Sequence, residues 1–531
     1  MPHIRHWIAL SLLGLAKAAG AAPPEPSPAQ VAAWWGHVEA ISHDGMEGRL
    51  TGSPGYDRAA AYVVEQFRKL GLKPVGTEGY YQPVELIEQR FLADRSEAGL
   101  RGPGGDVALA VPEDVYFRGS HPMPATVDAP LVFAGYGLSI PEAGHDDFRD
   151  LDVRGKIVVV LSGGPADISG ALKSDARSSR AKLLAERGAV GLIAVSTPKQ
   201  VEIRWDRQVG ISRQPGMYLA DTALREVPVP FMSATFNPSS AERLFAGSGH
   251  SFAELSALSD ASRPLPVFAL QGRFAARIVS ESRPVRSANI IAVLPGGDPV
   301  LAKEHVILSA HLDGLGVGEP IKGDTIYNGT FDNAIGVASV IEAAKALSKD
   351  RPRPKRSILF AIVTAEEKGL LGSRYFARRP TVPAASLVAD VNLDMPLPIF
   401  PLTSISPLGY EESSLGLAAT VAAERMGLAV TPDPMPDRNA FIRSDQYSFI
   451  RQGIPSLFLK YGFAAGTPEA AVEKAWRADI YHSPQDDLAQ PVMKAEGVKL
   501  TGYFISLARL IADSPERPRW NEDSYFKRFA K

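Results

Sequence analysis

His305-Val306-Ile307-Leu308-Ser309-Ala310-His311-Leu312-Asp313-Gly314 decides how the rest of the chain is read. A short apolar run of strand length gives way abruptly to an imidazole, a carboxylate and a turn glycine. Working outward, the runs Asn289 to Leu294, Ser357 to Thr364, Leu387 to Leu393 and Pro455 to Lys460 have the same strand-like character. Between them Ala334 to Leu347 reads as a helix, with Val337, Val340, Ile341, Ala344 and Leu347 on one face. Strands alternating with helices predict an α/β domain with a mixed, largely parallel sheet flanked by helices.

Such sheets gather their sites at the carboxyl ends of strands. His311 and Asp313 follow one run, Glu366 and Glu367 a second, and Asp394 a third. Asp332 opens a helix after a turn-rich segment, and His482 lies in the loop Tyr481-His482-Ser483-Pro484. Alone, each feature is ordinary: a turn aspartate, a solvated helix start. Together they place two imidazoles and several carboxylates on one edge. Carboxylates crowded in a partly buried site repel one another and resist desolvation unless cations neutralise them. The chain has no cysteine among its 531 residues, so any metal must be held by His, Asp or Glu. This donor chemistry suits a pair of zinc ions or related divalent metals.

Toward the amino terminus, Gln30 to Ser42 and Gly55 to Leu70 read as helices that belong to the same α/β domain. From 120 to 285 short β-like runs dominate, including Leu131 to Phe133, Lys156 to Leu161 and Val190 to Val195, which predicts a β-rich module inserted within that domain. The expected organisation is therefore a signal peptide at 1–22, segments of the α/β domain at 23–119 and 286–531, and the insertion at 120–285. The signal reading rests on a weakly basic start, the apolar Trp7 to Ala16 and the small residues Ala19-Gly20-Ala21. Lys17 ends the apolar run too early for a membrane anchor, so export to a periplasm or beyond the cell is expected. With 57 basic and 59 acidic residues, nothing in the charge steers the chain toward nucleic acid.

Several motifs resemble peptidase family M28, the co-catalytic dinuclear zinc aminopeptidases. They are Ser309-Ala310-His311-Leu312-Asp313, Phe331-Asp332-Asn333-Ala334-Ile335-Gly336, Ala365-Glu366-Glu367-Lys368-Gly369, Asn392-Leu393-Asp394-Met395 and Tyr481-His482-Ser483-Pro484-Gln485-Asp486. Met46-Glu47-Gly48-Arg49-Leu50-Thr51-Gly52-Ser53 also matches members of that family. Phe133-Ala134-Gly135-Tyr136-Gly137 and Gly155 to Val160 resemble a protease-associated (PA) domain.

The resemblance implies a zinc aminopeptidase/phosphorylase-hydrolase-like fold, two Zn2+ per chain and peptide substrates with a free amino terminus. It implies that Asp332 bridges the metals, with His311 and Asp394 completing one site and Glu367 and His482 the other. Glu366 would be the general base, and Asp313 would accept the free imidazole N–H of His311 and fix its tautomer. Tyr481 would donate to the oxyanion, or would simply be a packed ring that orients His482. Gln446 stands where many members carry histidine, and Asp445 is a candidate for holding a substrate ammonium. Phe441, Tyr447, Phe449 and Tyr461 are candidates for the wall of the first side-chain pocket. A carboxypeptidase of the same fold and a non-catalytic ectodomain are the rival readings.

Overall fold

The computed structural model describes residues 25–102, 105–201 and 203–530. The expected signal segment 1–22 lies outside the described residues. At the centre of the molecule His305–His311 pairs in parallel with Ser357–Val363 on one side and Leu387–Asn392 on the other, and Leu387–Asn392 pairs in parallel with Ser456–Tyr461. Beyond this parallel heart the ten-stranded sheet turns antiparallel. Ser280–Leu294 and Tyr81–Phe91 continue it on one side, and Ser404–Leu408 on the other.

Alternation along the strands feeds two apolar layers. Ile290, Ala292, Val306 and Leu308 pack with helices Pro28–Ser42, Pro54–Lys69, Ile335–Lys349 and Lys494–Asp513 through Val38, Phe67, Val340 and Phe504. Ile291, Val293, Ile307 and Leu359 face the opposite way, against Phe376 and Phe449. The amino-terminal helices thus share the core of the central sheet.

A second sheet of eight strands has its own apolar cluster, built on Leu131, Phe133, Ile157, Val159, Ile193 and Phe236. It begins at Glu97 and ends at Arg277, so its first strands precede the boundary expected at 120. Glu97–Gly102 and Gly105–Leu109 bury only Leu100 and Leu109, which leaves no apolar alternation to read. Similarly, Ser280–Leu294 starts well before the apolar Asn289, because its first half is largely exposed and is held by pairing with Tyr81–Phe91. One strand from within the second region, Gly216–Leu219, leaves it to pair antiparallel with Tyr81–Phe91 at the edge of the first sheet.

Asp390 sits in the middle of the parallel heart, fully buried, and accepts a hydrogen bond of 2.7 Å from the Ser309 hydroxyl. Burial holds its carboxyl well above the ordinary carboxylate range. The folded chain therefore binds this proton more tightly than the unfolded chain, and stability falls as pH rises above about 4 toward the folded value. Relative to wild type, Asp390→Asn should gain stability steadily between pH 4 and 7. Parallel denaturant titrations check this, and a pH-independent difference would contradict it.

Candidate metal centre

The strands deliver the predicted groups to one edge. His311 is the last residue of its strand, Glu366 and Glu367 follow Ser357–Val363 through Ala365 at φ 56°, and Asp394 follows Leu387–Asn392. Asp332 lies in the segment leading into the helix Ile335–Lys349, and His482 in the loop after the helix Pro468–Asp479. His311 Nε2 is 3.2 Å from Asp332 Oδ1 and 3.4 Å from Asp394 Oδ1. His482 Nε2 is 3.4 Å from Asp332 Oδ2 and 3.2 Å from Glu367 Oε2. Two donor groups of three result, His311–Asp332–Asp394 and Asp332–Glu367–His482, with one oxygen of Asp332 turned to each.

The electrostatics show what this arrangement demands. Burial disfavours charge at His311, but Asp332 and Asp394 outweigh it and hold the imidazolium well above its ordinary pKa. His482 is opposed by burial too, yet Glu367 and Asp332 bring it to about 9. Burial would raise Asp332, but its bonds to both histidines pull it below the usual range. The carboxylates thus favour positive charge at both imidazoles, an environment that suits cations. Two nitrogen and three carboxylate donors without thiolate fit zinc, so the residues present suit a divalent pair.

Around these groups the chain is tied by backbone contacts. Asp313 meets His311 through two groups. The Nδ1 of His311 lies 3.1 Å from the backbone carbonyl of Asp313 but 3.9 Å from its carboxylate. That carboxylate also accepts the N–H groups of Glu366 (3.0 Å) and Glu367 (3.3 Å) and the Thr51 hydroxyl (3.2 Å). It therefore fixes the turn that presents both glutamates. Burial pushes Asp313 up to about 6.

Two contributors escaped the sequence reading. The Asp486 carboxylate accepts the N–H groups of Phe331 (2.8 Å) and Asp332 (3.1 Å), which sets the Asp332 backbone from the His482 loop. Arg49 is fully buried and donates to four carbonyls: Leu312 (2.7 Å), Ile41 (3.1 Å), Asn328 (2.6 Å) and Gly329 (2.9 Å). One guanidinium thus clamps the turn after His311 to the segment before Asp332. Adjacent Gly48 has φ +61°, and a Cβ there would lie 2.5 Å from the carbonyl oxygens of Gly316 and Tyr327. Arg49→Met would leave four buried acceptors without a donor, and should cost about 3–5 kcal/mol of stability. Chemical denaturation of the metal-free chain reads this, and a loss below about 1 kcal/mol would remove the clamp.

Other expectations divide. The ring of Tyr481 stacks on His482 at 3.7 Å between centroids and carries Arg477 on it at 5.0 Å. Gln446 accepts from Asn392 (2.8 Å) and donates to the Phe441 carbonyl (2.7 Å), a buried bridge that needs no titratable group. Asp445 is fully buried, and burial raises it to about 7. Of the four aromatic candidates, Tyr461 lines a cavity with Met395, Leu397, Phe400, Lys460 and Phe463. The others are spent elsewhere. Phe441 packs on Phe526, Phe449 on Phe376, and the Tyr447 hydroxyl bonds to Asp175.

Imidazole and carboxylate donors clustered at the carboxyl ends of parallel strands are the equipment of a metal-dependent hydrolase. Comparison with known proteins narrows the class: residues 289–501 match the model of peptidase family M28. The chain is 27% identical over 430 residues to the "Probable lipoprotein aminopeptidase LpqL" of Mycobacterium tuberculosis (strain ATCC 25618 / H37Rv), covering 78% of this chain and 70% of that one. It is 30% identical over 210 residues to leupeptin-inactivating enzyme 1 of Streptomyces exfoliatus, covering 38% of this chain and 43% of that one. The fold is shared with an aminopeptidase from Aneurinibacillus sp. strain AM-1, at a TM-score of 0.53 and 19% identity over 93% of this chain and 95% of that one. Among the described residues no helix is long and apolar enough to cross a membrane.

Proposed function

We propose that the protein is an exported aminopeptidase that releases residues from the free amino end of peptides at a dinuclear zinc site. The observation that carries this reading is the pair of donor triads sharing Asp332, with Glu366 beside both and in neither. His311, Asp332 and Asp394 would hold one ion, and Asp332, Glu367 and His482 the other. When bound, such ions supply Lewis-acid polarisation of the scissile carbonyl and a lowered pKa for water.

The chain's own groups do the rest. Glu366, presented by the Asp313-anchored turn, takes a proton from the attacking water and passes it to the leaving amine. Tyr481, stacked on His482, is placed to orient that imidazole, and its phenol is the candidate donor to the oxyanion. The cavity that begins at Met395 would receive the first side chain, with Phe400, Tyr461 and Phe463 as its apolar walls. The second sheet, Glu97 to Arg277 without the strand Gly216–Leu219, is assigned as the PA-like insertion on the strength of its separate core. Export is supported by the apolar segment and small-residue site within residues 1–22.

Mass spectrometry of products from matched peptides with free and acetylated amino termini tests the reading. Stepwise loss from the free amino end, blocked by acetylation and by chelator, is the expected result. Loss from the carboxyl end would replace it with a carboxypeptidase, and intact peptides with a binding module.

A further inference from the structure

The helix Trp205–Ser212 belongs to the second region but reaches, through Arg207, the loop that carries His482. On one flank it is fastened to the second sheet. The Trp205 indole N–H donates to the Glu113 carbonyl (2.7 Å), and the Tyr116 hydroxyl donates to Gln208 (3.1 Å). On the other flank Arg207 reaches the central domain, where its guanidinium donates to the carbonyls of Ala478 and Tyr481.

Those two carbonyls are not arbitrary acceptors. Ala478 lies in the last turn of the helix Pro468–Asp479, where carbonyls lack intrahelical donors and the dipole is negative, and Tyr481 follows just past its end. A planar fork of N–H donors satisfies both oxygens at once, which a point-charge ammonium does less well. The Tyr481 carbonyl is also the peptide group that leads into His482, whose backbone is left-handed at φ 55°. Holding that carbonyl fixes how the His482 ring is presented to Asp332 and Glu367.

We infer that Arg207 is a positioning residue: from the inserted domain it closes the end of the helix Pro468–Asp479 and sets the Tyr481–His482 loop. The proposal rests on the reading of His482 as a metal ligand. It makes the Asp332–Glu367–His482 half of the site dependent on the second domain, while the His311–Asp332–Asp394 half is not. The domains remain docked without this contact, since Asp175 also accepts from Tyr525 (2.6 Å) and Glu226 pairs with both Arg451 and Arg374.

The test uses full-length Arg207→Ala and Arg207→Lys, with Arg204→Ala as a neighbouring surface control. In metal-free protein, amide exchange over residues 478–486 should quicken at least about tenfold in Arg207→Ala, with the Thr126–Ala134 strand unchanged and Arg207→Lys intermediate. Competition with a zinc chelator should show one ion weakened about 10–100-fold and the other unaltered. On the loaded enzyme kcat should fall more than KM rises. Unchanged exchange in a folded Arg207→Ala chain would overturn the proposal, as would equal weakening of both ions. The exchange measurement needs no metal, so a wild-type chain that binds no zinc would refute the peptidase reading separately. If Arg207→Ala does not fold, Arg207→Lys carries the same comparison.

Discussion

Glu366→Gln should keep its metal at wild-type stoichiometry and lose about 10²–10⁴ in kcat. Neither donor triad includes Glu366, and its backbone N–H rather than its carboxylate is what Asp313 holds. Glutamine fills the same space and accepts hydrogen bonds but cannot take a proton at this acidity. Burial, reinforced by Asp394, Asp445 and Glu367 against the lowering effect of His311, keeps the Glu366 carboxyl well above its ordinary pKa in the metal-free chain. Nearby divalent charge favours the carboxylate, the form a general base requires. Elemental analysis and steady-state kinetics on one preparation check the expectation. Loss of zinc along with activity would mean that Glu366 and Glu367 have exchanged roles.

Asp332→Ala should be more severe. It removes one donor from each triad and leaves two-donor remnants, His311 with Asp394 and Glu367 with His482. Zinc sites held by protein ordinarily need three or four protein donors, so both ions should be lost to a modest chelator and turnover should fall by at least about 10³-fold. The substitution also strips each imidazolium of a carboxylate partner at 3.2 and 3.4 Å. The pH dependence of metal-free stability should shift with it. Two ions per chain retained by Asp332→Ala would end the bridging role.

Much of this site was legible because strand ends are legible. An apolar run that stops at His311, at Glu366 or at Asp394 announces both the strand and the edge where its last polar group emerges. What escaped depended on partners far away in the chain. The acceptors of Arg49 lie 263 to 280 residues along for the three on the central sheet side, and no local pattern marks an arginine whose partners are carbonyls. Asp486 stood inside a quoted motif, yet its function is to receive amides 154 and 155 residues earlier. Asp313 is the complementary case. The family resemblance implied an imidazole partner for its carboxylate; in the structure His311 Nδ1 is nearer the Asp313 carbonyl, and the carboxylate also holds the glutamate turn. In the second sheet, the exposed strands Glu97–Gly102 and Gly105–Leu109 carry no apolar alternation, so nothing local announces them.

The strand Gly216–Leu219 has a wider consequence for how this chain can be divided. It is a short loan from one region to the other, covering part of the outer side of the eleven-residue strand Tyr81–Phe91. Excising the second region as a cassette would strip that cover and leave backbone N–H and C=O groups of a sheet margin open to a neighbour. Bare margins of this kind recruit strands from other molecules. A minimal catalytic fragment designed from domain boundaries alone would thus carry a self-adhesive seam, and a shortened version would need a substitute for those four residues.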